Sequence, residues 1–417
     1  MHRSGNMQPN VLLAATNWWP LSAKLAMSLL RHGCRVEALC PPGHPLRYLR
    51  GISQYHLYRR LSSLRAMHHA LAAADPEVVI PCDDGAVSQL HQLYHDKPEL
   101  RALITRSLGS AAHFEVVASR EALLHFARDS GIRVPRTERV KTREDLHHWF
   151  GSEMNAGVLK QDGTWGGNGV HVARSQTEAE QVLMRMLEPI PWTTAWKRMV
   201  INHDPIALWS CARGKTPVVT VQEFIPGRPA NMMIACWKGR VLGAVTVEVL
   251  RAQGATGPAT AARIIQHPEM AQAACILTRR LELSGFHGLD FILEPRSRAA
   301  YLIEMNPRCT QLGHLPIAGQ KDLAGLLCGE LGAVAPHSPE EPPGNGLTAS
   351  DIIAFFPRAL QSDPQWSDLR DGYQDAPWAE PRLMEELLKE DWPDRQWQAR
   401  LYHWLRPPRR NQPVRFD

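Results

Sequence analysis

The chain has 417 residues, too many for one ordinary hydrophobic core, so two or three domains are expected. Hydrophobic residues make up 44% and charged residues 21%, the balance of a globular protein. The net charge of +5 arises from 47 basic and 42 acidic residues, and no basic block precedes the C-terminal tail, so nucleic-acid binding is not indicated.

The cysteines and the apolar runs indicate the cellular compartment in which the protein is expected. The eight cysteines form no CxxC pair, and their spacing fits neither a zinc site nor a disulfide framework. Reduced thiols are typical of the cytoplasm, which is the predicted compartment. The apolar run Val11–Ala15 is too short for a secretion signal, and no run approaches the length that spans a membrane. No membrane partner is therefore expected.

Short strands and helices alternate through the first 111 residues. Strands are predicted at Val11–Ala15, Arg35–Cys40 and Glu77–Pro81, and helices at Ser22–His32 and Leu64–Ala74. This alternation predicts a parallel sheet with crossover helices, a Rossmann-like N-terminal domain over residues 1–111.

The turn after the first strand, TNWWP, lacks the GxGxxG pattern, so a nicotinamide cofactor is not supported. The strand ends can still hold a small substrate. Asn17, Trp18, Asp83 and Asp84 are the polar or aromatic candidates there, and a turn or a helix cap is the favoured alternative for each of them.

A glycine-rich loop follows in the next region. The strand Asn155–Lys160 is followed by QDGTWGGN and by a second strand, Gly169–Ala173. A loop between two strands is not a P-loop, but its backbone N–H groups can point at phosphate oxygens. Lys160, at the end of its strand, would then meet the phosphates as a point charge. The alternative is a surface hairpin with an exposed lysine.

Later elements are a strand at Val218–Ile225, a strand pair at Met232–Trp237 and Val241–Val249, and a helix at Pro268–Leu283. The Pro- and Gly-rich stretch Pro336–Gly346 indicates a domain boundary or a strap across the surface. Residues 336–417 beyond it form a C-terminal extension of unknown role. Its basic tail, PPRRNQPVRFD, is expected to be disordered.

The stretch FHGLDFILEPRSRAAYLIEMNPR, residues 286–308, predicts a β-hairpin that turns near Ser297. Its symmetry places Asp290 opposite Glu304, with Asn306 on the same face because side chains alternate along a strand. Two opposed carboxylates are destabilising unless a cation lies between them, and oxygen ligands suit Mg²⁺ or Mn²⁺. The alternative is a solvated polar face.

The glycine-rich hairpin, the strand-end lysine, the segment QEFIPG and the carboxylate hairpin ending in NPR occur in this order. The order resembles the ATP-grasp superfamily of carboxylate–amine ligases, which includes the large subunit of carbamoyl phosphate synthetase. The resemblance implies an α/β and α+β chain with a pre-ATP-grasp domain at 1–111. It further implies an ATP-grasp domain at 112–335, formed by a glycine-rich-loop subdomain at 112–220 and a metal-binding subdomain at 221–335.

The resemblance also implies the roles of single residues. Asp290, Glu304 and Asn306 match the metal ligands. Lys160 matches the phosphate-binding lysine, and Arg308 matches a basic residue that contacts the transferring phosphate or the substrate carboxylate, so both are expected to act in catalysis. The matches for ATP are Arg120, Lys160, Gly166, Gly167, Gly169, Gln222, Glu223, Phe224, Ile225 and Asn231.

Two positions depart from the family pattern. Arg120 stands where a phosphate-binding lysine is usual, and its planar guanidinium changes the contact geometry. Pro229 stands near the place of the acidic residue that holds ribose, and Asn231 is the candidate replacement.

The function implied is an ATP-dependent, ADP-forming ligase that activates a carboxylate as an acyl phosphate and joins it to an amine. ATP and Mg²⁺ or Mn²⁺ are the expected cofactors, and small-molecule carboxylates and amines are the expected partners. A homodimer is compatible with this reading. Two alternatives stay open: a catalytically weak, nucleotide-binding regulatory protein, and a kinase-like phosphotransferase on the same fold.

Overall fold

The structure is a computed structural model. The residues it describes are 8–151, 156–161, 169–188, 191–193, 195, 217–254, 257–319, 321–334, 346–362, 372–390, 392, 394–405 and 413–415. Within these ranges no helix combines the length and apolar character needed to cross a bilayer.

The N-terminal domain is a parallel sheet in the order β3-β2-β1-β4, which confirms the Rossmann-like prediction. Its apolar strands are buried almost completely because helices cover the sheet. The elements are β1 (Asn10–Ala14), α1 (Leu21–Arg31), β2 (Arg35–Cys40), β3 (Gln54–Leu57), α2 (Ser63–Ala74), β4 (Val78–Pro81), α3 (Asp84–Asp96) and α4 (Arg101–Leu108).

The next subdomain carries an antiparallel sheet in the order β5-β8-β6-β7. Its strands β6 and β7 pair directly, so the glycine-rich loop joins two strands of a hairpin, as predicted. The elements are α5 (Phe114–Ala118), α6 (Arg120–Asp129), β5 (Thr137–Val140), α7 (Arg143–Phe150), β6 (Gly157–Gln161), β7 (Val170–Ala173), α8 (Gln176–Leu187) and β8 (Val219–Glu223).

A long antiparallel sheet follows, in which β13 lies at one edge and β12, β9, β10 and β11 follow in that order. Its apolar residues pack partly on a helix between β11 and β12 and partly on the N-terminal domain. The elements are β9 (Arg228–Trp237), β10 (Arg240–Gln253), β11 (Ala259–Ile264), α9 (Pro268–Arg280), β12 (Gly285–Leu293), β13 (Ala300–Asn306) and α10 (Leu323–Glu330).

The C-terminal extension is built into the same sheet. β14 pairs with β11, and β15 continues the sheet beyond β14. Leu383 and Leu387 bury in one apolar cluster with α1, α10 and strands of both sheets. The elements are β14 (Ile352–Ala354), α11 (Arg358–Ser362), β15 (Tyr373–Gln374), α12 (Pro381–Leu387), α13 (Trp397–Leu405) and β16 (Pro413–Arg415).

The expectation of a wholly disordered tail is wrong for residues 413–415, which form β16 against β10. The reason lies in the lengths of the neighbouring strands. β10 continues to Gln253, whereas its pairing with β9 ends at Glu248. The last residues of β10 therefore offer unpaired backbone groups along that edge, and β16 takes them.

Candidate active site

The carboxylates lie where the hairpin symmetry predicts. Asp290 on β12 is the register partner of Glu304 on β13, and Gly288 is the partner of Asn306. A bulge shifts the register by one residue beyond Asp290, so the predicted pairing holds at the site end of the hairpin only. On the other side of β12, Asp290 pairs with Asn231 of β9. Asn231, Asp290 and Glu304 thus form one row across β9, β12 and β13.

Asp290 lies at the centre of this row. Its Oδ1 accepts a hydrogen bond of 2.6 Å from Asn231 Nδ2, and its Oδ2 accepts one of 3.0 Å from Asn306 Nδ2. Burial and the neighbouring Glu304 carboxylate raise the pKa of Asp290 to about 6, although both amides act to lower it. The raised pKa reflects burial first and the adjacent Glu304 carboxylate second, and both disfavour the ionised form of Asp290.

Basic side chains face the second carboxylate. Arg120, the first residue of α6, donates from Nη2 to Glu304 Oε1 over 3.0 Å. Burial acts to raise the pKa of Glu304, but Arg120 and Lys160 outweigh it, so the pKa lies below its ordinary value. Glu304 is accordingly the more acidic carboxyl group of the pair.

Lys160 is buried at 5% exposure near the end of β6, and its Nζ donates to Gln222 Oε1 of β8 over 2.7 Å. Burial lowers the pKa of Lys160 to about 8; Arg120 lowers it as well, and Glu304 and Asp290 raise it. The lysine, Arg120 and the two carboxylates therefore belong to one electrostatic cluster.

The glycine-rich loop begins directly after this lysine and its neighbour. Gly169 closes it with a left-handed φ of +77°, and its carbonyl accepts from the Gln161 N–H over 2.9 Å. Gly166 and Gly167 lie outside the described residues, so their predicted contact with phosphate stays a prediction. The hairpin geometry on both sides of them suits a loop that covers a ligand.

The segment predicted to hold adenine, Gln222–Ile225, begins with the last two residues of β8. Gln222 is buried and also donates from Nε2 to Thr137 Oγ1 over 3.1 Å. Glu223 accepts from the Arg136 N–H over 3.2 Å, and the side chain of Phe224 is 41% exposed. The segment links the two sheets of the region, as the resemblance implies, and Phe224 offers an aromatic surface.

Arg308 connects the hairpin to the N-terminal domain. Its Nε donates to Asp84 Oδ1 over 2.8 Å, and its Nη2 donates to Asn306 Oδ1 over 3.2 Å. Asp84 is the first residue of α3, directly after the N-cap Asp83. The guanidinium therefore lies between the predicted metal ligands and the strand ends where a small substrate was expected.

Asp83 holds together the turn after β1 and the start of α3. Its carboxylate accepts from the backbone N–H groups of Thr16, Asn17 and Ala86 at 2.6, 3.0 and 2.9 Å. It thus serves as a helix cap and a turn anchor, the alternative noted from the sequence. Trp19 in the same turn was missed; its ring lies 5.9 Å from the Arg308 guanidinium carbon. The signal available was the second tryptophan of TNWWP, at the carboxyl end of a parallel strand.

The donor set fits a divalent cation. Asp290 and Glu304 offer carboxylate oxygens on one face, and Asn306 adds an amide oxygen. The described ranges contain no group of three or more His, Cys, Asp or Glu side chains that could hold a metal, and the set here is two carboxylates and an amide. This fit concerns oxygen-ligated ions such as Mg²⁺ and Mn²⁺.

Comparison with known proteins identifies the fold. Residues 206–311 match the protein family described as the ATP-grasp domain. The chain thus has an ATP-grasp fold with an N-terminal parallel-sheet domain, which confirms the resemblance predicted from the sequence. A search among curated proteins gives no significant match.

Solved structures agree on the fold at low sequence identity. The ADP complex of N5-carboxyaminoimidazole ribonucleotide synthetase superposes with a TM-score of 0.57 at 14% identity, over 84% of this chain and 82% of that one. The biotin carboxylase domain dimer of Hydrogenobacter thermophilus 2-oxoglutarate carboxylase, with MgADP, ADP and bicarbonate, gives 0.57 at 14%, over 84% and 74%. L-amino acid ligase from Bacillus licheniformis gives 0.52 at 11%, over 78% and 74%.

Proposed function

We propose that this protein is an ATP-dependent, ADP-forming ligase that activates a carboxylate as an acyl phosphate and joins it to an amine. The observation that carries the proposal is the opposed pair Asp290–Glu304 with Lys160, Arg120 and Arg308 around it. Phosphoryl transfer needs fixed positive charge around a metal site, and few other reactions need this combination.

The basic residues have different roles because they occupy different positions in the site. Lys160 lies at the root of the glycine-rich hairpin, so it holds the nucleotide's phosphates as a point charge. Arg120 balances Glu304 and adds a second fixed charge beside the phosphates. The glycine-rich loop covers the nucleotide and excludes water, which would otherwise hydrolyse an acyl phosphate.

The metal ligands would be Asp290, Glu304 and Asn306. A divalent ion held there would supply positive charge against the negative charge that develops on the phosphate during transfer. Asn231 would orient Asp290 through its short hydrogen bond, and Asn306 would do so from the other side. A role for Asn231 at the nucleotide's ribose remains part of the proposal.

Arg308 holds the substrate carboxylate. It lies between the phosphate-binding residues and the strand ends of the N-terminal domain, where a small molecule can enter. A bidentate guanidinium fixes a carboxylate for attack on the terminal phosphorus, with ADP as the leaving group. The amine then attacks the acyl carbon and releases phosphate. The activities named for the similar structures, a carboxylase, a ribonucleotide synthetase and an amino acid ligase, support this class of chemistry.

The test is the substitution Glu304→Gln, which removes one charge from the metal row and changes little in volume. ADP release is measured with ATP, Mg²⁺ and a panel of organic and amino acids, with hydroxylamine as the nucleophile that traps any acyl phosphate. We expect at least a hundredfold loss of turnover with an unchanged melting temperature. Glu294→Gln, in the turn at the far end of the same hairpin, is the matched control and keeps wild-type turnover.

The outcomes separate the alternatives. Wild-type turnover in Glu304→Gln would refute the metal assignment. Nucleotide binding by the wild-type protein, without ADP release for any acid, would favour the regulatory protein. A phosphorylated product that hydroxylamine does not capture would favour the kinase-like phosphotransferase.

A further inference from the structure

The C-terminal extension is fastened next to the candidate active site by three buried side chains. Lys24 Nζ of α1 donates to Asp375 Oδ2 over 2.6 Å and to the Phe356 carbonyl over 3.0 Å. His314, in the loop after Arg308, lies 2.7 Å through Nε2 from the other oxygen of Asp375. All three side chains are at least nine-tenths buried, so the backbone near Phe356 has a defined position.

This position brings Arg358, two residues further on, to the N-terminal domain. Its guanidinium carbon lies 5.1 Å from the centre of the Trp19 ring. The guanidinium carbon of Arg308 lies 5.9 Å from the same ring, so the two cations are at most about 11 Å apart. A short organic molecule can contact both.

The indole of Trp19 adds a donor to this pair. Its Nε1 is buried and has no hydrogen-bond partner among the described residues. A buried N–H without an acceptor is costly. An anion bound between the two arginines would supply that acceptor.

A second contact of the C-terminal extension bounds the same region. Trp392 stacks on Trp18 at 5.5 Å between ring centres, with 13° between the ring planes. Trp18 is fixed by a hydrogen bond of 2.7 Å from its Nε1 to the Pro42 carbonyl. Gly43 is left-handed, at φ +68°, and a side chain there would overlap the Trp392 ring. The extension therefore reaches the substrate side of the N-terminal domain at two places.

We propose that Arg358 and the Trp19 indole form a second anion subsite beside Arg308. The substrate acid would then carry, besides the carboxylate that is activated, another anionic group within about the span of the two arginines. This inference rests on the proposed function, since it assigns the activated carboxylate to Arg308. It gives the C-terminal extension a role in substrate selection. The second group is a carboxylate or a phosphate, and both satisfy the same chemistry.

The test compares acids of matched skeleton with one or two anionic groups: butyrate with succinate, and glycerate with 3-phosphoglycerate. ADP release is measured with hydroxylamine as trapping nucleophile, and binding of each acid is measured by calorimetry with a non-hydrolysable ATP analogue. For the wild-type protein we expect at least a tenfold preference in kcat/KM for one of the dianions. The preferred pair identifies the second group.

Arg358→Gln is expected to reduce that preference to near one and to weaken binding of the dianion ten- to a hundredfold. Arg358→Lys keeps the charge and retains part of the preference, which separates a lost contact from a folding defect. Arg382→Gln, an exposed arginine of the same extension, is the matched control and keeps the full preference. An equal loss for both members of a pair in Arg358→Gln would overturn the subsite.

The two proposals fail in different ways. ADP release that favours monocarboxylates, or that is equal for both members of each pair, leaves the ligase in place and removes the subsite. Binding of a dianion that depends on Arg358, without ADP release for any acid, supports the subsite and removes the ligase.

Discussion

At the scale of single residues, the candidate site contains buried ionisable groups whose pKa values are shifted from their ordinary values. Asp290 has its pKa raised to about 6 and Lys160 has its pKa lowered to about 8, so each of these charged forms is disfavoured in the ligand-free site. Structural ion pairs usually shift pKa values the other way. Shifted pKa values in a cluster of ionisable groups are typical of functional sites, which agrees with the proposed binding of a cation and a polyphosphate.

The pKa of Lys160 leads to a prediction about nucleotide binding. Above pH 8 the buried lysine loses its proton and with it the charge that attracts phosphate, so affinity for a non-hydrolysable ATP analogue falls. We expect binding at pH 9 to be about tenfold weaker than at pH 7, because only the protonated tenth of the molecules binds well. Calorimetry in buffers of equal ionic strength measures this change.

Two variants control this prediction. Lys160→Arg keeps its charge, so its affinity should be nearly the same at both pH values, and Lys160→Met should bind weakly at both. Destabilisation of the fold by deprotonation of Lys160 does not explain weaker binding at pH 9. An unfolded lysine holds its proton up to its ordinary pKa of 10.5, so the contribution of Lys160 to stability increases between pH 8 and 10.5. Equal affinity of the wild-type protein at pH 7 and pH 9 would contradict the assignment.

At the scale of elements, the β12–β13 hairpin positions the site through close packing at its open end. Gly288 lies opposite Asn306, and a side chain at Gly288 would overlap the Thr310 methyl group. Thr310 follows Arg308 by two residues and bonds Met233 Sδ through its N–H and its hydroxyl, at 3.3 and 3.2 Å. The glycine thus lets the segment that carries Arg308 fold back onto the sheet.

Gly288→Ala is therefore predicted to destabilise the protein and to impair the Arg308 turn. The β-branched Thr310 has little freedom to move away, so we expect a loss of about 1–3 kcal/mol and a fall in ADP release. Thermal unfolding and turnover measure the two effects. Gly329→Ala, in helix α10 with open space around its Cβ position, is the control and should be neutral or stabilising by up to about 1 kcal/mol. Equal behaviour of the two variants would contradict the packing argument.

The hairpin also shows how far the sequence alone could lead. The pairing of Asp290 with Glu304 was predictable because a strand has a two-residue period and the turn fixes the centre of symmetry. Lys160 was predictable as the residue before a glycine-rich loop. The bulge beyond Asp290 was not predictable, since it depends on packing across the sheet. Contacts between distant residues, such as Arg308 with Asp84 or Arg358 with Trp19, have no local pattern that could reveal them.

At the scale of the whole molecule, the C-terminal extension contacts both the central sheet and the N-terminal domain. β14 and β15 extend the central sheet, β16 returns to β10, and α12 packs against the N-terminal domain. Composition gave no function for these residues, because a Trp- and charge-rich stretch is typical of many surfaces. The structure shows instead that one apolar cluster includes residues of the first domain, the central sheet and the extension. We therefore expect these parts to unfold together.

The buried pair Lys24–Asp375 tests this expectation. Asp375→Ala leaves the Lys24 ammonium buried without its carboxylate, and removing one partner of such a pair costs about 3–5 kcal/mol. We expect a lower melting temperature for the whole protein in a single transition, and faster proteolysis of the extension. The double variant Lys24→Met with Asp375→Leu removes both charges and should be milder, since no buried charge is left alone. Glu385→Ala, exposed on α12, is the control and should stay within about 0.5 kcal/mol of the wild-type stability.

Acid should act on the same contact. Burial acts to raise the pKa of Asp375, but Lys24 and His314 outweigh it, so the pKa lies below its ordinary value of 3.8. A carboxyl group with a lowered pKa stabilises the fold above that ordinary value and loses its contribution as the pH falls towards the folded-state pKa. The stability difference between the wild-type protein and Asp375→Ala should therefore be full at pH 6 and shrink below about pH 4. A constant difference across this range would show that the loss comes from packing and that the ion pair does not hold the extension in place.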